Sequence, residues 1–222
     1  MLAYISKNAD KKIIDALKQK GFETVLLAPF NVLSAPVNTH ADMLLCAAGN
    51  MVFKHSDYTL EGDFVSLTEK MGAKYPLDVL LNIAILGKHV FANVKYASKT
   101  VLEYLEKSGY TIHHVPQGYA HCSTCIVSDN AIITADRTIA LTAQNEGIDA
   151  LLISEGHISL PPYEYGFIGG ATGSTSNSVY FCGSLSHHPD GNSIRAFIEA
   201  HGKTVIELSD SPLSDVGGIL FI

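Results

Sequence analysis

The side chains best suited to chemistry lie in the stretch Gln117–Asp136, where His121 and Cys122 are adjacent. A thiol becomes an effective nucleophile when an imidazole or a cation lowers its pKa, and an imidazole can carry the proton. Because adjacent side chains on a strand point to opposite faces, His40 is an alternative base to His121. Cys122 is therefore either a candidate nucleophile or a small buried apolar residue without chemistry, and both interpretations stay open.

The cysteines offer two other interpretations, which the spacing disfavours. Cys122 and Cys125 form a C-x-x-C pair, but on a strand the two sulfurs face opposite sides. No second such pair exists to complete a zinc site. Cys46 and Cys182 also fall in strand-like segments. Four unpatterned cysteines predict free thiols in a reducing compartment, so we expect a cytoplasmic protein.

Charged side chains elsewhere in the chain suit a small charged ligand. His40 and Asp42 are two residues apart, which on a strand places both on one face, and Asp42 could hold a guanidinium or an amine. Asp136 offers a second carboxylate. The planar fork of Arg137 could clamp a carboxylate of the ligand, or Arg137 could pair only with Asp136. We expect Asp136 and Arg137 to bind substrate near Asp42.

The segment Ser184–Asp190 supplies further candidates. His188 and Asp190 could bind the substrate, or could ligate a metal with His40 and Asp42. The plainer alternatives are that the histidine is solvated and that Asp190 caps the helix after it. Gly169 opens a Gly-Gly-Ala-Thr-Gly run that lacks the lysine of a phosphate loop, so it predicts room for backbone beside a binding site. No cofactor and no bound metal are expected.

A repeated pattern must position these residues. Four amphipathic helical stretches each end in a glycine and lead into an apolar strand, at Gly21, Gly109, Gly147 and Gly202. Between them lie predicted hairpins, over Asp42–Phe53, Val79–Val94, Gln117–Asp136 and Gly169–Cys182. The unit is thus strand, strand, helix, strand, and a fifth copy is split between the two ends of the chain. If Asp215–Ile222 pairs with Leu2–Ile5, the ring closes.

The second copy of the unit is irregular. After Ser66–Gly72 only Ala73–Leu77 remains before the next hairpin, which predicts a short or absent third strand. An ordinary doubly wound α/β domain is the alternative architecture. In either case the loop containing Tyr163, Glu164 and Tyr165 is expected to lead towards the mouth of the site and to shield it.

The overall composition limits the classes of partner. The chain has 222 residues, of which 47% are hydrophobic, enough for a full core. Its 15 Lys and Arg against 22 Asp and Glu give a net charge of −7. That balance argues against a nucleic-acid binder and is compatible with a small cationic ligand. No apolar run is long enough for a membrane span, and the oligomeric state cannot be read from the sequence.

The five-unit ring resembles the pentein superfamily, the α/β-propeller fold of the guanidino-group-modifying enzymes. The strings HADMLL, QGYA-x-CS, GFIGGATG, HHPDG and DVGGI look like those of an uncharacterised bacterial branch. The resemblance implies one α/β domain over residues 1–222, a pseudosymmetric ββαβ propeller closed by its terminal strands. It also implies an active site at one end of a central channel, formed by the leading ends of the first strands.

The resemblance further implies roles for particular residues. His121 stands where the acid/base histidine would be, and Asp42 where the guanidinium-binding acid would be. The last strand resembles the one that presents the nucleophile, but Phe221 or Ile222 stands where its cysteine would be. The family's usual nucleophile is therefore missing from that position.

Two functions follow as hypotheses. The first is an enzyme acting on an amidino, guanidino or related C–N group, as a hydrolase or a transferase. Its catalytic residues would be Cys122, His121, Asp42 and His40, and its substrate-binding residues Arg137, Asp136, His188, Asp190 and Gly169. The second is a non-catalytic pentein that binds a small cation or a macromolecular partner.

Overall fold

The computed structural model describes all 222 residues, which form five three-stranded sheets. In each sheet an antiparallel pair of strands is extended by a third strand that runs parallel to the middle one, and in four of the sheets the antiparallel pair is a hairpin. We number the units 1 to 5 along the chain, and unit 1 takes its first strand from the C-terminus. Five separate sheets exclude the alternative of one doubly wound sheet and confirm the five-unit propeller.

The elements follow the predicted order. Unit 1 consists of β1 (Leu2–Ser6), α1 (Lys11–Gln19) and β2 (Glu23–Leu27), and unit 2 of α2 (Ala41–Leu44), β3 (Leu45–Ala48), β4 (Met51–His55) and β5 (Val65–Leu67). Unit 3 consists of β6 (Ala84–Leu86), β7 (His89–Ala92), α3 (Lys99–Lys107) and β8 (Thr111–His114). Unit 4 consists of β9 (Thr124–Ser128), β10 (Ala131–Thr134), α4 (Arg137–Asn145) and β11 (Asp149–Leu152). Unit 5 consists of β12 (Thr172–Ser174), β13 (Ser178–Phe181), α5 (Gly191–Ala200) and β14 (Thr204–Glu207), and β15 (Leu220–Phe221) completes unit 1.

Local sequence explains where the helices begin and end. Asp10, Ser98 and Asp136 cap α1, α3 and α4 through side-chain oxygens that accept backbone N–H bonds. The apolar residues of each helix fall on one buried face, except Leu141 of α4, which is exposed. After the helices, the four predicted glycines have φ of +87°, +78°, +75° and +72°, the left-handed conformation that glycine adopts without steric cost. The predicted helix-to-strand transitions are therefore confirmed.

Unit 2 departs from the pattern. No helix connects β4 and β5. The third strand is short, as predicted, but it lies at Val65–Leu67, ahead of the segment Ala73–Leu77 that the sequence pattern left for it. The intervening residues 56–64 are rich in polar side chains and include Gly62, so they lack an apolar face at helical spacing. A loop therefore replaces the helix in this unit.

The ring closes through its two ends. β15 pairs antiparallel with β1, with Ala3 opposite Phe221 and Tyr4 opposite Leu220. The first strands of units 3, 4, 5 and 1 contact one another in sequence, β6 with β9, β9 with β12, and β12 with β15. First strands therefore line the axis of the ring, while second strands are the middle strands of their sheets and lie one strand further out. No helix of the structure has the length and apolar character needed to cross a bilayer.

Candidate active site at the centre of the ring

Three units present a polar residue at the same place, just before the first strand. Asp42 lies in α2, three residues ahead of β3, and Asn82 and Cys122 lie two residues ahead of β6 and β9. Each is separated from the next by 40 residues. Because first strands line the axis, equivalent positions converge on the centre of the ring.

Direct hydrogen bonds join the three side chains. The Cys122 Sγ donates to Asp42 Oδ2 at 2.8 Å, and Asn82 Nδ2 donates to Cys122 Sγ at 2.9 Å. Asn82 Oδ1 accepts the backbone N–H of His121 at 2.8 Å and of Cys122 at 3.1 Å. The amide of Asn82 thus fixes both the backbone turn that carries Cys122 and the sulfur itself. We call Asp42, Asn82 and Cys122 the central triplet.

His121 and a second carboxylate flank the central triplet. His121 Nδ1 is 4.0 Å from Asp42 Oδ2 and has no hydrogen-bond partner. Asp215, ahead of β15, accepts the backbone N–H groups of Phe167 and Gly217, each at 2.9 Å. His40 Nδ1 lies 3.7 Å from Asp215 Oδ1. His40 is therefore oriented towards Asp215, and His121 is the imidazole beside Asp42.

Burial sets the protonation of these groups. It raises the pKa of Asp42, and the nearby charge of Asp215 raises it further. Burial likewise raises the pKa of Asp215. Burial, and then the two carboxylates, raises the pKa of the Cys122 thiol well above its usual range. Burial lowers the pKa of His40 to about 4 and lowers that of His121 as well, so both imidazoles are neutral at neutral pH. Without a ligand, the site therefore holds a thiol rather than a thiolate.

Two cavities lie on either side of the central triplet. One, of about 270 Å³, has Cys122, His40 and Asp215 among its lining residues. Its other walls carry four aromatic rings and two further acids, which are Tyr119, Tyr163, Tyr165, Phe167, Asp78 and Glu164. We call it the aromatic cavity. The other, of about 240 Å³, is lined by residues of all five units, among them Asp42 and His121, and we call it the channel cavity. Cys122 lines the first cavity, while Asp42 and His121 line the second.

The aromatic walls are held by contacts among themselves. Tyr119 donates its hydroxyl to Asp78 Oδ2 at 2.7 Å and stacks on Phe167 with ring centroids 6.2 Å apart. Tyr165 meets Phe167 edge to face at 6.4 Å. Tyr163 and Tyr165 belong to the loop that was expected to shield the mouth, and both line this cavity.

The other predicted substrate-binding residues lie away from the central triplet, which corrects their expected placement. Asp136 caps α4 and, with Gln117, lines a separate cavity, and Arg137 lines a surface depression next to it. His188 Nδ1 accepts the N–H of Asp190, whose Oδ2 accepts the N–H of Ser154 at 2.7 Å. The physical reason is that these residues follow second strands, which lie one strand out from the axis.

Gly169 lies at the axis as a packing position. A Cβ at this residue would collide with the carbonyl oxygens of His121 and Cys122. Position 170 also requires a glycine, because a Cβ there would collide with the Asp215 carboxylate. The glycines thus allow the backbone of unit 5 to approach the candidate site closely.

Sequence reasoning did not single out Asn82 or Asp215. The signal that could have found Asn82 is its spacing, since it stands midway between Asp42 and Cys122. For Asp78, Tyr119 and Phe167 no local motif marks the aromatic cavity, which forms only when distant segments meet.

Solved structures of known proteins share this fold. The chain aligns with dimethylarginine dimethylaminohydrolase from Pseudomonas aeruginosa, as a mutant complexed with citrulline, at 11% identity and a TM-score of 0.53, covering 94% of this chain and 92% of that one. It aligns with agmatine deiminase of C. jejuni at 10% identity and a TM-score of 0.56, covering 94% and 86%. An amidinotransferase from Microseira wollei matches at 11% identity and a TM-score of 0.51, covering 92% and 78%. The protein therefore has the pentein fold.

Within that class, the sequence model of one family matches residues 4–220. The chain belongs to this family, which is described as a family of unknown function (DUF6873). No curated protein matches the sequence.

Proposed function

We propose that the protein binds a small organic cation of the amidine or guanidine class in the aromatic cavity and cleaves a C–N bond of it with Cys122 as the nucleophile. The observation that carries this proposal is the position of Cys122. Its thiol lines a cavity walled by aromatic rings and acids, and a carboxylate lies 2.8 Å from the sulfur.

The walls of the aromatic cavity favour a cation. Aromatic faces attract cations through their quadrupole, most strongly when water is excluded. Asp78, Glu164 and Asp215 add carboxylates, and no lysine or arginine lines the cavity to oppose them. A flat amidinium can stack on a ring and donate N–H bonds to a carboxylate at the same time.

The bound cation supplies the positive charge that the free site lacks. Its positive charge offsets the carboxylate charges that raise the pKa of the thiol and of Asp42. In the free protein Asp42 is protonated, and the bound cation lowers its pKa so that its proton leaves to solvent. The thiol proton then passes to Asp42 Oδ2 along the existing hydrogen bond, and the thiolate adds to the amidino carbon. Asp42 returns the proton to the departing nitrogen, so the C–N bond breaks as an amine leaves and an S–C bond remains.

Release from the sulfur requires an acceptor. His40, neutral and lining the aromatic cavity with Cys122, takes a proton from water as that water attacks the amidino carbon, and the proton then returns to the departing sulfur, so the thiol is regenerated. An amine in place of water would make the reaction a transfer. Structurally similar proteins include a dimethylarginine dimethylaminohydrolase, an agmatine deiminase and an amidinotransferase. This similarity supports the proposal of C–N chemistry on a cation.

Two observations favour a second candidate, a pentein that binds a cation without converting it. The closing strand contains Leu220 and Phe221 and no cysteine, and the thiol of Cys122 is not activated in the free protein. In that case the aromatic cavity binds its ligand and Cys122 only packs.

The two candidates differ in thiol reactivity towards a cationic reagent. The native protein is treated with 2-chloroacetamidine or with 2-chloroacetamide, and labelling at each cysteine is mapped by mass spectrometry. Rates are divided by those of glutathione with the same reagent. We expect Cys122 to prefer the amidine, while the buried Cys46, Cys125 and Cys182 serve as internal controls. Equal normalised rates for both reagents at Cys122 would reject Cys122 as the nucleophile.

A further inference from the structure

A second group of ligand-type side chains lies at the seam between units 3 and 4, outside both cavities. His89 opens β7, and His113 on β8 is paired with Phe91, so His89, Phe91 and His113 share one face of the sheet. Glu146 directly follows α4, the helix of unit 4. The group therefore brings together side chains from two units of the ring.

The donor atoms of this group are close enough to share one ion. His89 Nδ1 and His113 Nε2 are 3.0 Å apart, and Glu146 Oε1 is 3.6 Å from His113 Nδ1. One ligand atom from each residue lies within 4.8 Å of the other two. Zn–N bonds of about 2.0–2.1 Å place two tetrahedral ligand nitrogens about 3.3 Å apart. The two histidine nitrogens need only a small shift. The Glu146 side chain is 43% exposed and lies nearest to the other nitrogen of His113, so it must turn towards the shared ion.

We propose that His89, His113 and Glu146 bind a divalent transition-metal ion of the zinc type, with water completing its coordination. Imidazole nitrogens and a carboxylate oxygen are the donor set of such ions when a coordination position stays open. The ion ties the sheet of unit 3 to the helix of unit 4.

Protonation at the seam agrees with this assignment. The ligand form of histidine is the neutral imidazole. In the hydrogen bond between the two rings, one nitrogen carries a proton. That proton moves to the other nitrogen of its own ring when the metal binds, so binding needs no oxidant, no reductant and no net loss of a proton.

Zinc titration of the full chain by calorimetry tests the proposal. We expect one ion per chain, with affinity lowered at least about tenfold in His89→Ala and in Glu146→Gln. His114→Ala is the matched control, because His114 is the neighbouring exposed histidine on β8 and should leave the affinity unchanged. Zinc should also raise the Tm of the wild type and of His114→Ala, but not of His89→Ala.

A further variant tests whether the metal ion binds at His89, His113 and Glu146 or at the central triplet. Cys122→Ser should bind zinc as the wild type does, and Co²⁺ should show no sulfur-to-metal absorption. Absence of stoichiometric binding, or binding that is kept in both His89→Ala and Glu146→Gln, would overturn the proposal. Loss of binding in Cys122→Ser would overturn it as well, because it would place the ion at the thiol. Glu146 is exposed, so its variant keeps the test valid if His89→Ala fails to fold.

Discussion

Replacing Asn82 by alanine should destabilise the protein out of proportion to the size of the change. The side chain makes five hydrogen bonds: two accepted from the backbone N–H groups of His121 and Cys122, and three donated to Cys122 Sγ, Met43 Sδ and the Asp42 carbonyl. Leaving a buried donor without a partner costs about 1–3 kcal/mol. Two orphaned N–H groups therefore cost about 2–6 kcal/mol in the dry limit.

The adjoining cavities reduce that cost. Water can enter from either side of the central triplet and bond to one of the freed groups, so we expect Asn82→Ala to lower the unfolding free energy by about 2–3 kcal/mol. Urea denaturation with an unchanged m-value measures it. Asn130→Ala, at an exposed hairpin turn, is the matched control and should change stability by less than about 0.5 kcal/mol. A loss in Asn82→Ala no larger than in the control would refute the role of Asn82 as the organiser of the candidate site.

Two further predictions concern the buried carboxylates. Because the pKa of Asp42 is higher in the folded than in the unfolded state, its contribution to stability is full in acid and is lost as the pH rises towards the folded value of about 8. Asp42→Asn has no titrating carboxyl and does not lose this stability, so its unfolding free energy relative to wild type should rise between about pH 5 and about pH 8. Urea denaturation at several pH values measures the difference. A difference between variant and wild type that stays constant across that range would contradict the raised pKa of Asp42. Gly170→Ala should cost about 1–3 kcal/mol or more, because its Cβ would press on a carboxylate that two backbone N–H groups hold in place. Gly109→Ala is the matched control, because a Cβ there meets open space and only the φ of +78° is unfavourable, so it should cost only about 1–2 kcal/mol. Thermal unfolding measures both variants, and a larger loss of stability in Gly109→Ala than in Gly170→Ala would contradict the packing argument.

The repeat was readable from the sequence because its signals are local. Gly21 and Gly109 mark helix ends, and the strings between them alternate in the way that hairpins require. Pairing of the terminal strands followed from counting strands in the units. The replacement of a helix by a loop in unit 2 could not be predicted in detail, because the sequence showed only that the unit was irregular.

The candidate site was predictable only where it obeys the repeat. Asp42 and Cys122 were placed at the same end of equivalent strands, and the structure brings them together. Asn82 follows the same spacing, but its side chain neither titrates nor acts as a nucleophile, so its residue type alone does not predict a functional site. Arg137 and Asp190 were misplaced because the sequence shows where a strand ends but not how far that strand lies from the axis. The aromatic cavity depends on contacts between segments about 40 residues apart or more, which local patterns do not carry.

The central claim is that a bound cation converts Cys122 from a thiol to a nucleophile. The most direct test is the pKa of Cys122, followed by the ultraviolet absorbance of its thiolate in a pH titration, with Cys122→Ser subtracted as the baseline. The titration is run with and without acetamidinium at a concentration that leaves the fold intact. We predict that acetamidinium lowers the pKa of Cys122, because the cation offsets the charges of Asp42 and Asp215. A pKa that stays well above the usual range in the presence of bound acetamidinium would contradict the account.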